Sequence, residues 1–293
     1  MMKKTLKLAL VASAITASGV VIAACSGGGD DDDDGGSDPV LLKSDGSPAN
    51  LGCNGSYTDP VGTGSNLTFN IRIVSQEPTS APPASGTRVV QFNTATGNTT
   101  GTAVITDANG RAQMTLDPAT RYDFLLTKGD GSTHVQTFNF QELTPTVATT
   151  GTVDMIVVSK AIVTVVTGVL SIPPGDIVGK AQVAAAITDC DGTALQNATI
   201  EIPGAGGAGV AKRCGETDHG YPCVAYFAGA TPTTAALRTD ASGRFAIIGA
   251  TPGPITVKAY GVTTAGALAA TQIGQSALNV KADSISLFST HPL

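Results

Sequence analysis

The chain has 293 residues, with 17 Lys and Arg against 23 Asp and Glu, a formal charge of -6 at neutral pH. No Lys/Arg cluster follows Lys7, which excludes the electrostatic footprint of a nucleic-acid binder. Gly and Pro together are 51 of 293 residues, too few for a low-complexity disordered chain.

In chain order, Lys3, Lys4 and Lys7 form a basic head, followed by an apolar stretch from Leu8 to Ala24. Those 17 residues fall short of the roughly 20 that span a bilayer as a helix. Basic head, apolar stretch and small residues together have the layout of a secretory signal over residues 1–24. Ile22-Ala23-Ala24-Cys25 resembles the lipobox of bacterial lipoproteins. The resemblance implies cleavage before Cys25 and acylation of that cysteine by chains such as palmitate, and so a membrane partner reached through lipid. At about 0.8 kcal/mol per buried methylene, two or three chains give a durable anchor. In such lipoproteins an Asp after the cysteine favours the inner membrane; Ser26 instead points to the bacterial outer membrane. Loss of three lysines with the signal takes the charge from -6 to -9.

Residues 25–49 are expected to be a disordered Gly/Asp tether. Ser26 to Pro39 contains no apolar residue that could join a core. Its 14 residues average about 20 Å end to end as a flexible chain. Asp30 to Asp34 repel one another and stiffen the spacer; without a spaced loop they do not make a calcium site.

Beyond the tether the chain is rich in Val, Thr, Ile, Ala and Gly, arranged as short alternating runs between Gly, Asp, Asn and Pro turns. That pattern predicts an all-β fold of sandwich type. An internal repeat divides it. Thr106-Asp107-Ala108-Asn109-Gly110-Arg111 recurs as Thr239-Asp240-Ala241-Ser242-Gly243-Arg244, and Met114, Tyr122 and Phe124 align with Ile247, Ile255 and Val257. Asp opens each turn by bonding nearby backbone, and Gly supplies positive φ. Upstream, Leu67–Ile73 corresponds to Ala181–Ile187, and Val89–Phe92 to Ala198–Ile202. We therefore expect two tandem Ig-like sandwich domains, at residues 50–165 and 176–293. Strands around Val153–Val158 and Ala161–Val169 are expected to close the first.

In the second half, Thr188-Asp189-Cys190-Asp191-Gly192-Thr193-Ala194-Leu195, then Thr239–Phe245, then Thr251-Pro252-Gly253-Pro254, resembles the carboxypeptidase regulatory-like (transthyretin-like) β-sandwich over about 80 residues. The resemblance implies an accessory module and no enzyme. The first half replaces the corresponding first turn with a Pro/Ser-rich loop from Glu77 to Ser85.

With Cys25 lipidated, Cys53, Cys190, Cys214 and Cys223 remain, an even set that suggests two disulfides in an exported protein. A Cys214–Cys223 bridge would close a loop of about ten residues, worth roughly 2.5–3 kcal/mol in the chain-entropy model. That leaves Cys53 with Cys190 as a link between the halves; the alternative pairs Cys190 with Cys214 or Cys223. Cys190, Cys214, His219 and Cys223 form a rival zinc set, disfavoured by the absence of a C-x₂-C knuckle.

No catalytic constellation stands out. His134, His219 and His291 are the only histidines. Ser132 and His134 lack a third partner and a G-x-S-x-G elbow; Asp218-His219 reads as surface loop. Gly175 to Ala181 is one residue short of a phosphate loop. We expect no catalysis, no cofactor and no resident metal. The expected role is structural or protein-interaction, at the cell envelope. The alternative is glycan recognition, for which Tyr221, Tyr226 and Phe227 beside the cysteine loop are the candidate contacts.

Overall fold

The computed structural model describes residues 38–53, 59, 61–146, 152–203, 212–216, 220–267 and 269–290. The signal, Cys25, the acidic run, His219 and His291 lie outside them. In order, the strands are β1 (Leu42–Lys43), β2 (Leu67–Gln76), β3 (Thr87–Asn93), β4 (Asn98–Ile105), β5 (Arg111–Leu116), β6 (Arg121–Lys128), β7 (Gln136–Leu143) and β8 (Thr152–Val158). Helix α1 (Lys160–Val169) and a 3-10 turn at Pro174–Ile177 follow. Then come β9 (Ala181–Ile187), β10 (Leu195–Gln196), β11 (Thr199–Glu201), β12 (Cys223–Ala228), β13 (Thr231–Thr233), β14 (Arg244–Ala250), β15 (Gly253–Gly261), β16 (Thr271–Val280) and β17 (Ser284–Thr290). The fold is all-β apart from α1.

The repeat is structural. β5-β2-β8 has the pairing of β14-β9-β17: the middle strand is antiparallel to the first and parallel to the third. β3-β6-β7 likewise matches β11-β15-β16. The aligned turns make the same bonds. Thr106 Oγ1 donates to the Ala84 carbonyl and accepts from Thr87 N–H; Thr239 Oγ1 donates to Leu195 and accepts from Ala198. Gly110 and Gly243 have φ of +69° and +66°. A Cβ there would lie 2.3 Å from the Ile73 carbonyl or 2.6 Å from that of Ile187. Positive φ and close backbone approach together demand glycine.

The two units are not beads on a string. β17 runs parallel to β7 of the first unit on one side and to β9 of the second on the other. This makes one nine-stranded sheet, β13-β12-β14-β9-β17-β7-β6-β3-β4. One core fills the first sandwich, from Phe69, Ile71 and Ile73 of β2 to Val89, Phe124 and Leu126. The second core contains Val183, Phe245, Phe288 and Leu278, and also Phe92, Phe138 and Phe140 from the first unit. Those three rings pack on one another with centroids 4.8 to 6.0 Å apart, so the junction is built as hydrophobic core.

Two expectations are corrected. Ala161–Val169 is not a strand but most of α1. Ser159 caps it, its Oγ accepting from Ile162 N–H. Ile162, Val163 and Val166 pack with Ala184 and Ile285 of the sheet, and Val166 also with Ala246 and Ile248. β-branched residues cost up to about 0.7 kcal/mol each in a helix, but burying one large aliphatic side chain returns about 1.5–3 kcal/mol. The helix also explains the composition of β9. The outward positions of β2 are Asn70 and Arg72, both exposed; their counterparts Ala184 and Ala186 are buried, Ala184 against Ile162 of α1.

The second correction concerns the expected tether, 25–49. Its later residues are docked on the second unit. Leu41 is 1% exposed within that core, its N–H donates to Val262, and β1 pairs with β10. Asp38 pairs with Arg238 at 2.5 Å. Asn50 N–H donates to Asp189, and the Asn50 carbonyl accepts from Cys190 N–H.

Candidate functional site

Both disulfides are formed, Cys53–Cys190 and Cys214–Cys223, so the cysteines of the rival zinc set are spent in two separate bridges. Cys53 lies at the end of the docked segment. Its bridge therefore staples residues 38–53 to the second unit rather than joining the two sandwiches. Cys190 sits in the Asp189–Thr193 turn, where Asp189 Oδ1 accepts from Asp191 and Thr193 N–H. Lys43 Nζ closes this acidic turn, 3.0 Å from Asp191 and 3.4 Å from Asp189. An internal ammonium thus stands where the two carboxylates converge. Among the described residues no three His, Cys, Asp or Glu side chains are grouped to hold a metal.

The proposed aromatic platform is taken apart by the fold. Tyr226 and Phe227 are buried. Tyr226 Oη accepts from Ile200 N–H, and burial pushes its phenol up to about 12. Phe227 faces the other way, into the apolar layer with Leu170, Ile172 and Ala246. Adjacent strand residues point to opposite faces, and here both faces are covered. Tyr221 alone is partly exposed; it donates to Asp176 Oδ2 at 3.0 Å and packs its ring on Gly249. A flat stacking surface is therefore not assembled.

One polar cluster was not legible in the sequence. Ser132 does not meet His134; its N–H bonds Asp130. Instead the His134 ring reaches the end of β2. Ser75 Oγ lies 2.7 Å from Nε2 and donates to Glu77 at 2.5 Å. Glu77 Oε1 is 3.2 Å from Nε2, and Thr133 Oγ1 is 2.8 Å from Nδ1. Burial pushes the imidazole below its ordinary value, helped by Lys128 and opposed by Glu77. Burial also resists ionisation of Glu77, but hydrogen bonds from Ser75 and Ser159 and the His134 ring hold its carboxyl below the usual glutamate value.

The trio Ser, His and Glu invites comparison with a nucleophilic triad, and the geometry answers it. A triad places the serine on one ring nitrogen and the carboxylate on the other. Here both meet Nε2, the Ser75 proton goes to Glu77, and Ser75 is 0% exposed. The arrangement neither activates Ser75 nor admits a substrate to it. It ties the end of β2 to the strand–helix corner, where Lys160 N–H bonds the Thr133 carbonyl. Residues 57 to 59 positions apart meet here, and only knowledge of the pairing of β2 with β8 could have brought them together.

No protein-family model and no curated protein matches the chain. Among solved structures, the shaft pilin SpaA of Lactobacillus rhamnosus GG aligns at 13% identity over 78% of this chain and 98% of that one, with a TM-score of 0.23. The minor pilin GBS52 of Streptococcus agalactiae gives 13% over 77% and 96%, TM-score 0.21. The TIE protein of Bacillus anthracis gives 13% over 78% and 34%, TM-score 0.22.

Proposed function

We propose that the protein is a non-enzymatic lipoprotein of the bacterial envelope, held by lipid on Cys25 at the outer membrane, and that its rigid pair of β-sandwiches serves a structural or protein-interaction role. The observation that carries the reading is Ile22-Ala23-Ala24-Cys25 directly after a basic head and a 17-residue apolar stretch. Three further features support it. Two disulfides suit an oxidising compartment. The junction between the sandwiches is apolar core, which suits a stiff body better than a hinge. The buried Ser75–Glu77–His134 cluster has the geometry of a structural tie.

The test is metabolic labelling of cells with a clickable fatty acid. The intact chain should take up label and partition with membranes, and Cys25→Ser should do neither. Label on the Cys25→Ser chain, or its stable retention in membranes, would refute the anchor.

A further inference from the structure

β7 and β16 occupy the same place in the two copies. Each is the outer neighbour of an equivalent strand, with Asn139 opposite Phe124 and Ser276 opposite Val257. In the first copy the far side of this strand is filled: β17 runs parallel along Gln136–Asn139. In the second copy, among the described residues, β16 ends its sheet.

β16 is an open edge of an unusual kind. Its ten residues, Thr271–Val280, include no charged residue and no proline. Seven consecutive pairs, from Gly274 to Val280, run against β15 without interruption. Gln275 and Ala277 are exposed. Beyond β15, the Asn279 side chain donates to the Thr94 carbonyl. Sheet proteins ordinarily blunt such edges, and four other edge strands here are blunted. β11 and β13 have three residues each, and β13 contains Pro232. β4 is broken by a register shift. The outer backbone of β8 is clasped: Asn139 bonds both the N–H and the carbonyl of Ile156, Thr137 Oγ1 accepts from Val158 N–H, and Val135 N–H donates to Val158.

We propose that the β16 edge is a strand-addition site that takes an extended, uncharged segment of a partner protein, running parallel to β16 as β17 runs along β7. Main-chain bonds would supply the affinity and alternate side chains the selectivity. β17 itself, Ser284-Ile285-Ser286-Leu287-Phe288-Ser289-Thr290, shows the chemistry the equivalent edge accepts: small hydroxyl residues alternating with large apolar ones, and no charge. The equivalent strand of a second copy, β8, is a poor occupant, because it is closed by the Asn139 clasp. The inference deepens the protein-interaction reading and does not depend on the lipid.

The probe is a fluorescent synthetic peptide with the sequence of residues 284–290, titrated into the chain from residue 25 onward carrying Cys25→Ser. Amide hydrogen exchange provides the map. Saturable binding at or below about 1 mM is expected, with exchange of the 274–280 amides slowed at least about tenfold on one face of β16. Two versions N-methylated on alternate backbone nitrogens should differ: methylation on the pairing edge should abolish binding, and methylation on the other edge should spare it. Lack of binding, equal binding of both methylated peptides, or protection confined to β4 or to β7 and β9 would each overturn the proposal. So would concentration-dependent self-association that protects the same amides without peptide, which would assign the edge to a second copy. The fatty-acid experiment is unaffected by any of these results, so the two readings fail separately.

Discussion

Removing the Cys53–Cys190 bridge by Cys53→Ala with Cys190→Ala should destabilise the protein more than removing Cys214–Cys223 in the same way. The two bridges span 137 and 9 residues of sequence. In the chain-entropy model, closing the longer loop restricts the unfolded chain by about 5 kcal/mol and the shorter by about 2.7 kcal/mol. Measured losses for native bridges run from about 2 to 5 kcal/mol, so the difference of about 2 kcal/mol is the firmer quantity. The folded state adds to it. Without the bridge, the segment ending at Cys53 is held by Leu41, by the β1–β10 pair and by the Asn50 bonds to the Asp189 turn. Urea unfolding followed by far-UV circular dichroism, with hydrogen exchange on residues 38–53, measures both contributions. The mutant lacking Cys53–Cys190 should lose more stability, and its 38–53 amides should exchange well before global unfolding. Equal losses for the two mutants, or unchanged protection of 38–53, would refute the claim that this bridge staples the segment to the second unit.

Gly243→Ala should cost at least about 1–3 kcal/mol from backbone strain, plus displacement of the Ile187 carbonyl. Gly86→Ala, at the same φ of +66° but with nothing within 4 Å of a new Cβ, should cost no more than the strain; urea midpoints that shift equally would contradict this. Because burial holds His134 below its ordinary value, the folded protein favours the neutral ring. That stability is complete above the unfolded value of about 6.5 and declines as pH falls through it. Thermal midpoints between about pH 7.5 and 5.5 should therefore fall more steeply for the native chain than for His134→Gln. Glu77, also held low, contributes stability that persists through that window and is lost only at more acid pH. Asn139→Ala would leave the N–H and carbonyl of Ile156 unpaired at a partly buried site, costing about 1–3 kcal/mol. It would also open the β8 edge, so light scattering should show self-association absent from the native chain.

The repeat was readable because its signal is local. Thr106-Asp107-x-x-Gly110-Arg111 and its second copy carry their own turn chemistry, and the strands beside them alternate over a few residues. The β2 and β9 segments also show what alternation leaves out. Asn70 and Arg72 announce a wet face; the alanines of β9 announce only the absence of one, and nothing in them says that a helix lies above. α1 was misread because Ile162 to Thr167 are β-branched, and propensity lost to burial against the sheet. Residues 40–43 are too short to display a period, so their docking depends on a groove formed by residues more than 150 positions away. The candidate site divides in the same way between local and long-range signals. Cys214 and Cys223 are close in sequence and their bridge was the favoured pairing, whereas the Ser75–His134 contact exists only once β2, β7 and β8 have assembled. Tyr226 and Phe227 were proposed as contacts because they neighbour a polar loop, but on a strand covered from both sides neither parity leads to solvent.

The stapled segment 38–53 changes what the order of units along the chain means. The first sandwich is encoded next to the tether, yet both strands of covalent chain that enter and leave it are moored to the second. A pull arriving at Asp38 passes to β10 and Val262, then across Cys53–Cys190, and is balanced there. Mechanically the first sandwich is wired in parallel with the tether, not in series. Under the proposed Cys25 anchor, opening of the first sandwich would release no slack toward the membrane, and the second sandwich would bear the load.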